Sequence, residues 1–293
     1  TEAQIPYQTI AHYKIASDNS FKLGENKLNL NLGWQQNKRE ELGNIENPNE
    51  RALYMDLQTI TYSAQLHFKE KQGWHHALGC NGMSQINNNF GAQQLVPNYQ
   101  LFDAGAFVYT KKEINHLNLS GGVRYDLRNV NVKSLQSGNQ IKGAPFTNSF
   151  TNFSGSVGMA LPIIKNIQLK LNIARAFRAP SISELASNGA HEGTIRYEYG
   201  DKHLKSEISN QFDAALEWTR EHFSINIAGY VNQFDNFIFY KKLQNITGQD
   251  SMIQENGSWL TAFQFDQQKT NLRGLEITFD IHPHPLDWLR IEN

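Results

Sequence analysis

The residues best equipped for chemistry lie close together between Arg178 and Lys205: Arg178, Glu184, His191, Glu192, Arg196, Tyr197 and Tyr199. Carboxylates, guanidinium groups, phenols and one imidazole at irregular spacing suit multipoint capture of a polar ligand, and a neutral imidazole is a good ligand for iron. The plainer reading, in which His191 is an ordinary polar loop residue, is the preferred one. Two further histidine pairs carry less. His282 and His284 alternate with prolines in a tight turn, where a polar tip is expected anyway. His75 and His76 are consecutive at a strand start and must face opposite sides, so they share no metal. Cys80 is the single cysteine, which leaves no intramolecular disulfide and no multi-cysteine metal site. No GxSxG elbow, phosphate-binding GxxxxGKS/T loop, HExxH or GxGxxG motif is present. Asp213 and Glu217 share a strand face, but nothing places a pocket around them. The chemistry expected is therefore binding rather than catalysis, with no cofactor.

The elements that must position this loop are strands. Ile167, Leu169, Leu171 and Ile173 oppose Asn166, Gln168, Lys170 and Asn172, a period of two with one apolar and one wet face. The same alternation recurs at Leu28–Trp34, Ile60–Phe68, Leu117–Leu127, Phe212–Trp218 and Leu275–Ile281. It predicts strands at about 5–16, 26–35, 54–68, 74–87, 99–110, 115–128, 148–161, 167–177, 206–219, 223–240 and 261–281, with another beginning near Trp288. No helical period is convincing outside the loops. The predicted connections alternate strictly. Short ones (Ser17–Glu25, Lys69–Gly73, Lys111–Ile114, Pro162–Asn166, Arg220–His222, His282–Asp287) are followed by long ones (Gln36–Leu53, Asn88–Asn98, Asn129–Thr147, Arg178–Lys205, Lys241–Leu260). In an up-and-down antiparallel sheet this gathers the tight turns at one end and the long loops at the other, the asymmetry of transmembrane β-barrels.

Charge is consistent with this class. The formal net charge is −1 and the pI about 6.8, so no general attraction to nucleic acid is indicated. No apolar run approaches the roughly 18 residues of a membrane helix, but a membrane strand needs only about 10, half of them facing away from lipid. Arg124, Asp126, Arg128, Glu217, Glu276 and Asp280 are expected on the wet face as a hydrated ladder of charge pairs. Phe234, Phe237, Phe239 and Tyr240 are expected in an aromatic girdle where a strand leaves the membrane.

At Phe177-Arg178-Ala179-Pro180 the chain resembles a known family. FRAPSISELASNGAHEGTIRYEYGDKHLKSE, with GMSQINNNFGAQQLVPNYQ (82–100), GGVRYDLRN (121–129) and LRGLEITFDIHP (272–283) in the same order, is similar to TonB-dependent outer-membrane receptors. The motif positions are Phe177, Arg178, Ala179, Pro180, Glu184 and Leu185. The resemblance implies an all-β, antiparallel up-and-down transmembrane barrel of 22 strands, about 11–12 of them present here. It also implies a plug domain that is absent from 1–293, a location in the outer membrane of a Gram-negative bacterium, and import of a scarce nutrient driven through TonB. The chain is thus expected to be an internal part of a barrel domain, truncated at both ends, with no signal peptide at Thr1. The implied partners are a ferric siderophore or other nutrient ligand, outer-membrane lipid, and TonB acting through the missing plug.

Haem and an oligosaccharide are the alternative ligands. In similar haem receptors a histidine between FRAP and an NPxL-type motif binds the iron. His191 stands in that interval, but Gly200-Asp201-Lys202-His203-Leu204 replaces an intact NPxL. A soluble all-β carbohydrate-binding module and a passive porin-type barrel are the rival classes. The first demands apolar side chains packed in a closed core; the second needs no plug.

Overall fold

The computed structural model describes residues 6–43, 47–92, 94–137, 140–191, 194–255, 257–286 and 288–293. Its framework is one antiparallel meander of long strands: β1 (Tyr7–Leu23), β2 (Asn26–Leu42), β3 (Leu53–His67), β4 (Trp74–Asn89), β5 (Tyr99–Ile114) and β6 (Leu117–Val132). A loop hairpin, β7 (Leu135–Ser137) and β8 (Gln140–Gly143), precedes β9 (Phe146–Ile164) and β10 (Ile167–Arg178). The next loop holds α1 (Ile182–Ala186), β11 (Asn188–His191) and β12 (Arg196–Tyr199), and then come β13 (Glu207–Thr219) and β14 (Phe223–Lys242). The chain ends in β15 (Met252–Glu255), β16 (Ser258–Ile281) and β17 (Ile291–Glu292). The long strands pair in sequence order, β1-β2-β3-β4-β5-β6-β9-β10-β13-β14-β16, and β12 then β11 extend the loop end of β16.

The strands predicted from alternation are all present, and the loops sort by end. Tight turns sit at Gly24-Glu25, Asn115-His116 and Lys165-Asn166, where Gly24, Asn115 and Asn166 take the positive φ that closes a two-residue hairpin. Most strands run further than expected. β1 reaches Leu23, so Ser17–Glu25 is strand followed by a two-residue turn. β2 continues through Lys38-Arg39-Glu40-Glu41, which is polar on both faces and so shows no alternation, yet pairs residue by residue with β1 and β3. The strand expected from Trp288 is reduced to Ile291–Glu292 against Asp280–Ile281.

Register shows which face is which. Asp18, Asn31, Ser63, Asn81, Gly105, Asp126 and Asn152 are successive cross-strand partners from β1 to β9. Side chains of this face, from Lys14 on β1 to Arg178 on β10, line a single cavity of about 700 Å³, so the wet face is the concave one. The apolar set points the other way and stays uncovered: Ile15 and Leu275 are 70% exposed, Val157 68% and Ile173 63%. A soluble sandwich would bury these side chains. Here the apolar belt faces outward, as the wall of a membrane barrel requires, and among the described residues no closed core forms beneath it.

The inner face changes character toward the loops. There Leu101, Val130, Val132 and Ile182 are buried together, and Leu185, Leu204, Ile238 and Phe265 form a second cluster, with Phe146, Phe150 and Ala186 packed against both. The long loop after β10 is thus folded onto the sheet, because Ile182 and Leu185, three apart on one face of α1, each find an apolar seat. Each buried aliphatic side chain of this kind contributes about 1.5–3 kcal/mol to holding the loop.

Candidate functional site

The loop begins with a charge lock. Arg178, at the end of β10, reaches Glu207 through Nε (2.5 Å to Oε2) and forks onto Glu184 through Nη1 and Nη2 (2.8 and 2.9 Å). Glu184 is also the third residue of a capping box. It accepts from the Ser181 backbone N–H at 2.6 Å, while its own N–H donates to Ser181 Oγ at 3.3 Å. Glu207 accepts in turn from the Ile238 N–H at 2.6 Å, tying the lock to β14. Ala179, Pro180 and Leu185 are buried beneath, whereas Phe177 is only half-buried. Burial alone would raise the Glu184 carboxyl, but its hydrogen bonds to Arg178 and Ser181 outweigh that and hold it below the ordinary value. Arg178 and Glu184, proposed from sequence as ligand contacts, are therefore engaged by the fold, and they set the path of the loop.

Beyond the lock the loop builds a second cluster. His191 Nδ1 lies 2.8 Å from Glu198 Oε1. Tyr240 O–H donates to Glu198 Oε2 at 3.2 Å, and the Glu198 residue is 2% exposed. The buried Glu198 carboxylate takes the Tyr240 phenol on one oxygen and Nδ1 of the half-exposed His191 ring on the other, and so orients that ring. Tyr197 is buried, donates to Asn188 Oδ1 at 2.9 Å, and packs 4.9 Å from the Tyr199 ring; burial is the main reason both phenols are pushed above their ordinary value. Lys142 pairs with Glu255 at 2.5 Å and overhangs the Tyr197 ring at 5.7 Å. Arg196 is exposed, with its guanidinium 5.3 Å from the Phe263 ring.

Of the expected contacts, His191 and Arg196 are opposite each other on one face of the loop hairpin, and Tyr197 and Tyr199 lie together on its other face. Arg178 and Glu184 stand apart as the lock, and Glu192 lies outside the described residues. Glu198, Glu207, Lys142 and Glu255 were not legible as site residues. Glu198 alternates with Arg196 in a four-residue strand too short to show a period, and the others come from distant stretches joined only by folding. Tyr240 is a correction: it is not in a girdle but packs in a tilted contact at 4.2 Å against Phe265 and turns its hydroxyl to Glu198. The cause is a bulge between Phe234 and Phe237, with Asn236 at φ 58°, which shifts the register before Tyr240.

The concave wall below carries paired charge. Arg128 forks onto Asp103 at 2.7 and 2.6 Å, and Arg124 binds Asp126 through Nε (2.8 and 2.7 Å) and Asn81 Oδ1 at 2.6 Å. Lys170 pairs across to Glu217 at 2.5 Å. At the opposite end the His282–His284 turn gathers His222, whose ring lies 6.0 Å from His282 and 5.8 Å from His284. No group of three ligating side chains suited to a metal ion is assembled among the described residues.

An outward apolar belt, a polar concave wall, tight turns at one end and long folded loops at the other define the class: part of the wall of an outer-membrane-type transport barrel. The profile described as "TonB dependent receptor-like, beta-barrel" matches residues 4–291, and the chain belongs to that family of transport receptors. Solved structures agree in fold. The Serratia marcescens hemophore receptor HasR, in complex with its hemophore and heme, superposes with a TM-score of 0.68 at 16% identity, covering 94% of this chain and 47% of that one. The copper transporter OprC gives 0.67 at 15% identity, with 95% and 46% covered. The FrpB iron transporter from Neisseria meningitidis gives 0.67 at 13%, with 95% and 42% covered. The chain spans about half the length of these structures or less.

Proposed function

We propose that residues 1–293 are part of the barrel domain of a receptor that imports an iron chelate such as a ferric siderophore across a Gram-negative outer membrane, driven by TonB acting on a plug domain. The observation that carries this reading is a loop hairpin with His191 and Arg196 on one face and Tyr197 and Tyr199 on the other, at the loop end of a wall whose concave face is polar and charge-paired. Such a set can hold a chelate by several weak contacts while the hydrated wall below offers no strong trap. Neither set has the geometry of a reaction centre, so the ligand passes unchanged. The test is growth of a strain lacking the parent receptor, on defined iron sources under iron limitation. Failure on one chelate, restored by the wild-type gene, names the substrate. Equal growth on every source overturns the iron reading.

A second reading, haem, is favoured by the Glu198-oriented imidazole of His191. The purified receptor would then acquire a Soret band on mixing with haem, and His191→Ala would lose or shift it. An unchanged spectrum removes His191 as an iron ligand without touching the chelate reading.

A further inference from the structure

The outward belt has one feature that the import of a ligand through the lumen does not use. Two guanidinium groups, Arg175 and Arg273, stand on the lipid-facing side, and neither has a carboxylate partner among the described residues. Arg175 donates through Nη1 to the Phe153 carbonyl, which leaves most of its donors open. Their facing is fixed by register. Arg175 follows Ile173 on the same side of β10, and Ile173, Phe212, Val231 and Arg273 are successive partners across β10, β13, β14 and β16.

Both stand at one height. Arg175 is eight residues from Ile167 at the turn end of β10, and Arg273 is eight residues from Ile281 at the turn end of β16. At about 3.3 Å per residue and a tilt near 40°, that is about 20 Å above the turns, close to the far boundary of an apolar belt about 25 Å tall. An arginine at that depth is costly unless its charge is met, and a guanidinium fork fits a phosphate.

Beside Arg175 the surface is hollowed. Gly155 is the cross-strand partner of both Val123 and Arg175, and its missing side chain floors a trough of about 590 Å³ walled by Phe153, Val157, Ile173, Phe212 and Val231. A second hollow of about 510 Å³ adjoins Arg273 and shares Phe212 and Val231. We propose that this face of β9 to β16 is a seat for one phosphorylated lipid of the outer leaflet, its phosphates on Arg175 and Arg273 and an acyl chain in the Gly155 trough. Charge complementarity at the rim and apolar walls below select an anionic amphiphile over free phosphate or a zwitterionic lipid.

The test uses the complete receptor in mild non-ionic detergent, titrated with a diphosphorylated glycolipid and with its dephosphorylated counterpart, with binding read by native mass spectrometry. One diphosphorylated molecule should bind preferentially. Arg175→Gln and Arg273→Gln should each weaken it about fivefold, the effect of one basic side chain at an anionic membrane surface. Gly155→Leu should weaken it comparably with both guanidinium groups intact, and Val231→Trp, which narrows the trough from the opposite wall, serves the same purpose if the first variant does not fold. Heat-modifiable migration in gels checks that each barrel is folded. Equal retention by wild type and arginine variants overturns the proposal. So does loss in the arginine variants with full binding in the trough variants, since the guanidinium groups would then only be reaching bulk headgroups.

Discussion

His191 Nδ1 and Glu198 Oε1 lie 2.8 Å apart, and the carboxylate is buried while the imidazole is half-exposed. The pair joins the two strands of the loop hairpin, His191 opposite Arg196 and Gly189 opposite Glu198, so the hydrogen bond crosses the ladder diagonally. Glu198 cannot turn away, because Tyr240 holds its second oxygen. The half-exposed ring is therefore aimed by a carboxylate that is itself buried.

Glu198→Gln should accordingly lower ligand affinity without altering ligand choice. Loss of a carboxylate that orients a ligating histidine typically costs about 10–100-fold. If His191 contacts ligand by simple hydrogen bonding, the loss should fall to about tenfold or less. The measurement is equilibrium binding to the purified receptor, with Tyr240→Phe as a milder companion that keeps the carboxylate. Equal affinity in all three proteins would remove the pair from the binding site.

Arg178→Ala should loosen the loop and leave the barrel standing. It leaves Glu184 and Glu207, with side chains 13% and 10% exposed, without their common cation, a penalty of about 1–3 kcal/mol for each poorly satisfied group. Hydrogen exchange should rise across 179–206, while the heat-modifiable migration of the barrel is unchanged. Loss of that migration would place the lock in the barrel's own folding instead.

The same lock has a pH signature. The Glu184 carboxyl is held below its ordinary value of 4.5 because its ionised form is the one bound by Arg178 and Ser181. A depressed carboxylate contributes its full stability above the ordinary value and loses it as pH falls through the depressed one. Exchange protection of α1 should therefore be flat at neutral pH and decline below about 4.5. In Glu184→Gln the protection should be lower at neutral pH and lack that step. A step that survives in the variant belongs to another group.

Sidedness can be tested with two neighbours on one strand. Leu275 is 70% exposed on the outer belt, and Glu276 is next to it on the opposite face. Leu275→Lys should cost about 2–4 kcal/mol if it lies near the bilayer midplane, and Glu276→Lys much less, since it exchanges one hydrated charge for another. Folding yield into lipid vesicles reads the difference. Equal yields would contradict the outward placement of the belt.

These faces were legible in the sequence because a strand's side chains alternate whatever it packs against. Ile167 to Ile173 display that rule with nothing competing. Lys38 to Glu41 do not, because both of their faces are polar, and the strand is held there by its hydrogen-bond ladder and by the ion pairs of Arg39 with Glu41 and Arg51 with Glu40. The loop was half legible. FRAP marks where β10 ends, whereas the capping box of Ser181 and Glu184 came to light only with the structure. The Arg178–Glu207 bond spans 29 residues and the Glu198–Tyr240 bond 42, and no local pattern encodes either. Tyr240 was misplaced for the same reason: a single bulge at Asn236 rotates everything after it, and Asn236 looks like any other polar strand residue.

The concave wall offers a last test, separating capture from passage. Gly105 on β5 faces the lumen directly beneath Arg124 and Asp126, and a β-carbon there would collide with the guanidinium Nη2 and the carboxylate Oδ1. The charge pair lying over Gly105 thus occupies the space a side chain would take, and no turn or unusual φ demands a glycine at this position. Gly105→Val should displace Arg124 from Asp126 and Asn81 and swing a cation into the passage. An ion pair of this kind, within one strand and partly exposed, is worth about 0.2–1 kcal/mol, so the barrel should still fold. Ligand binding at the loops should be unchanged, because none of the groups around His191 touches Gly105. Uptake should slow as the passage narrows and its charge becomes unbalanced, and Gly105→Ala, with only the β-carbon to place, should show a smaller effect in the same direction. Reduced binding together with reduced uptake would mean that the wall and the loops act as one site, whereas unchanged uptake would mean that the ligand does not pass this face.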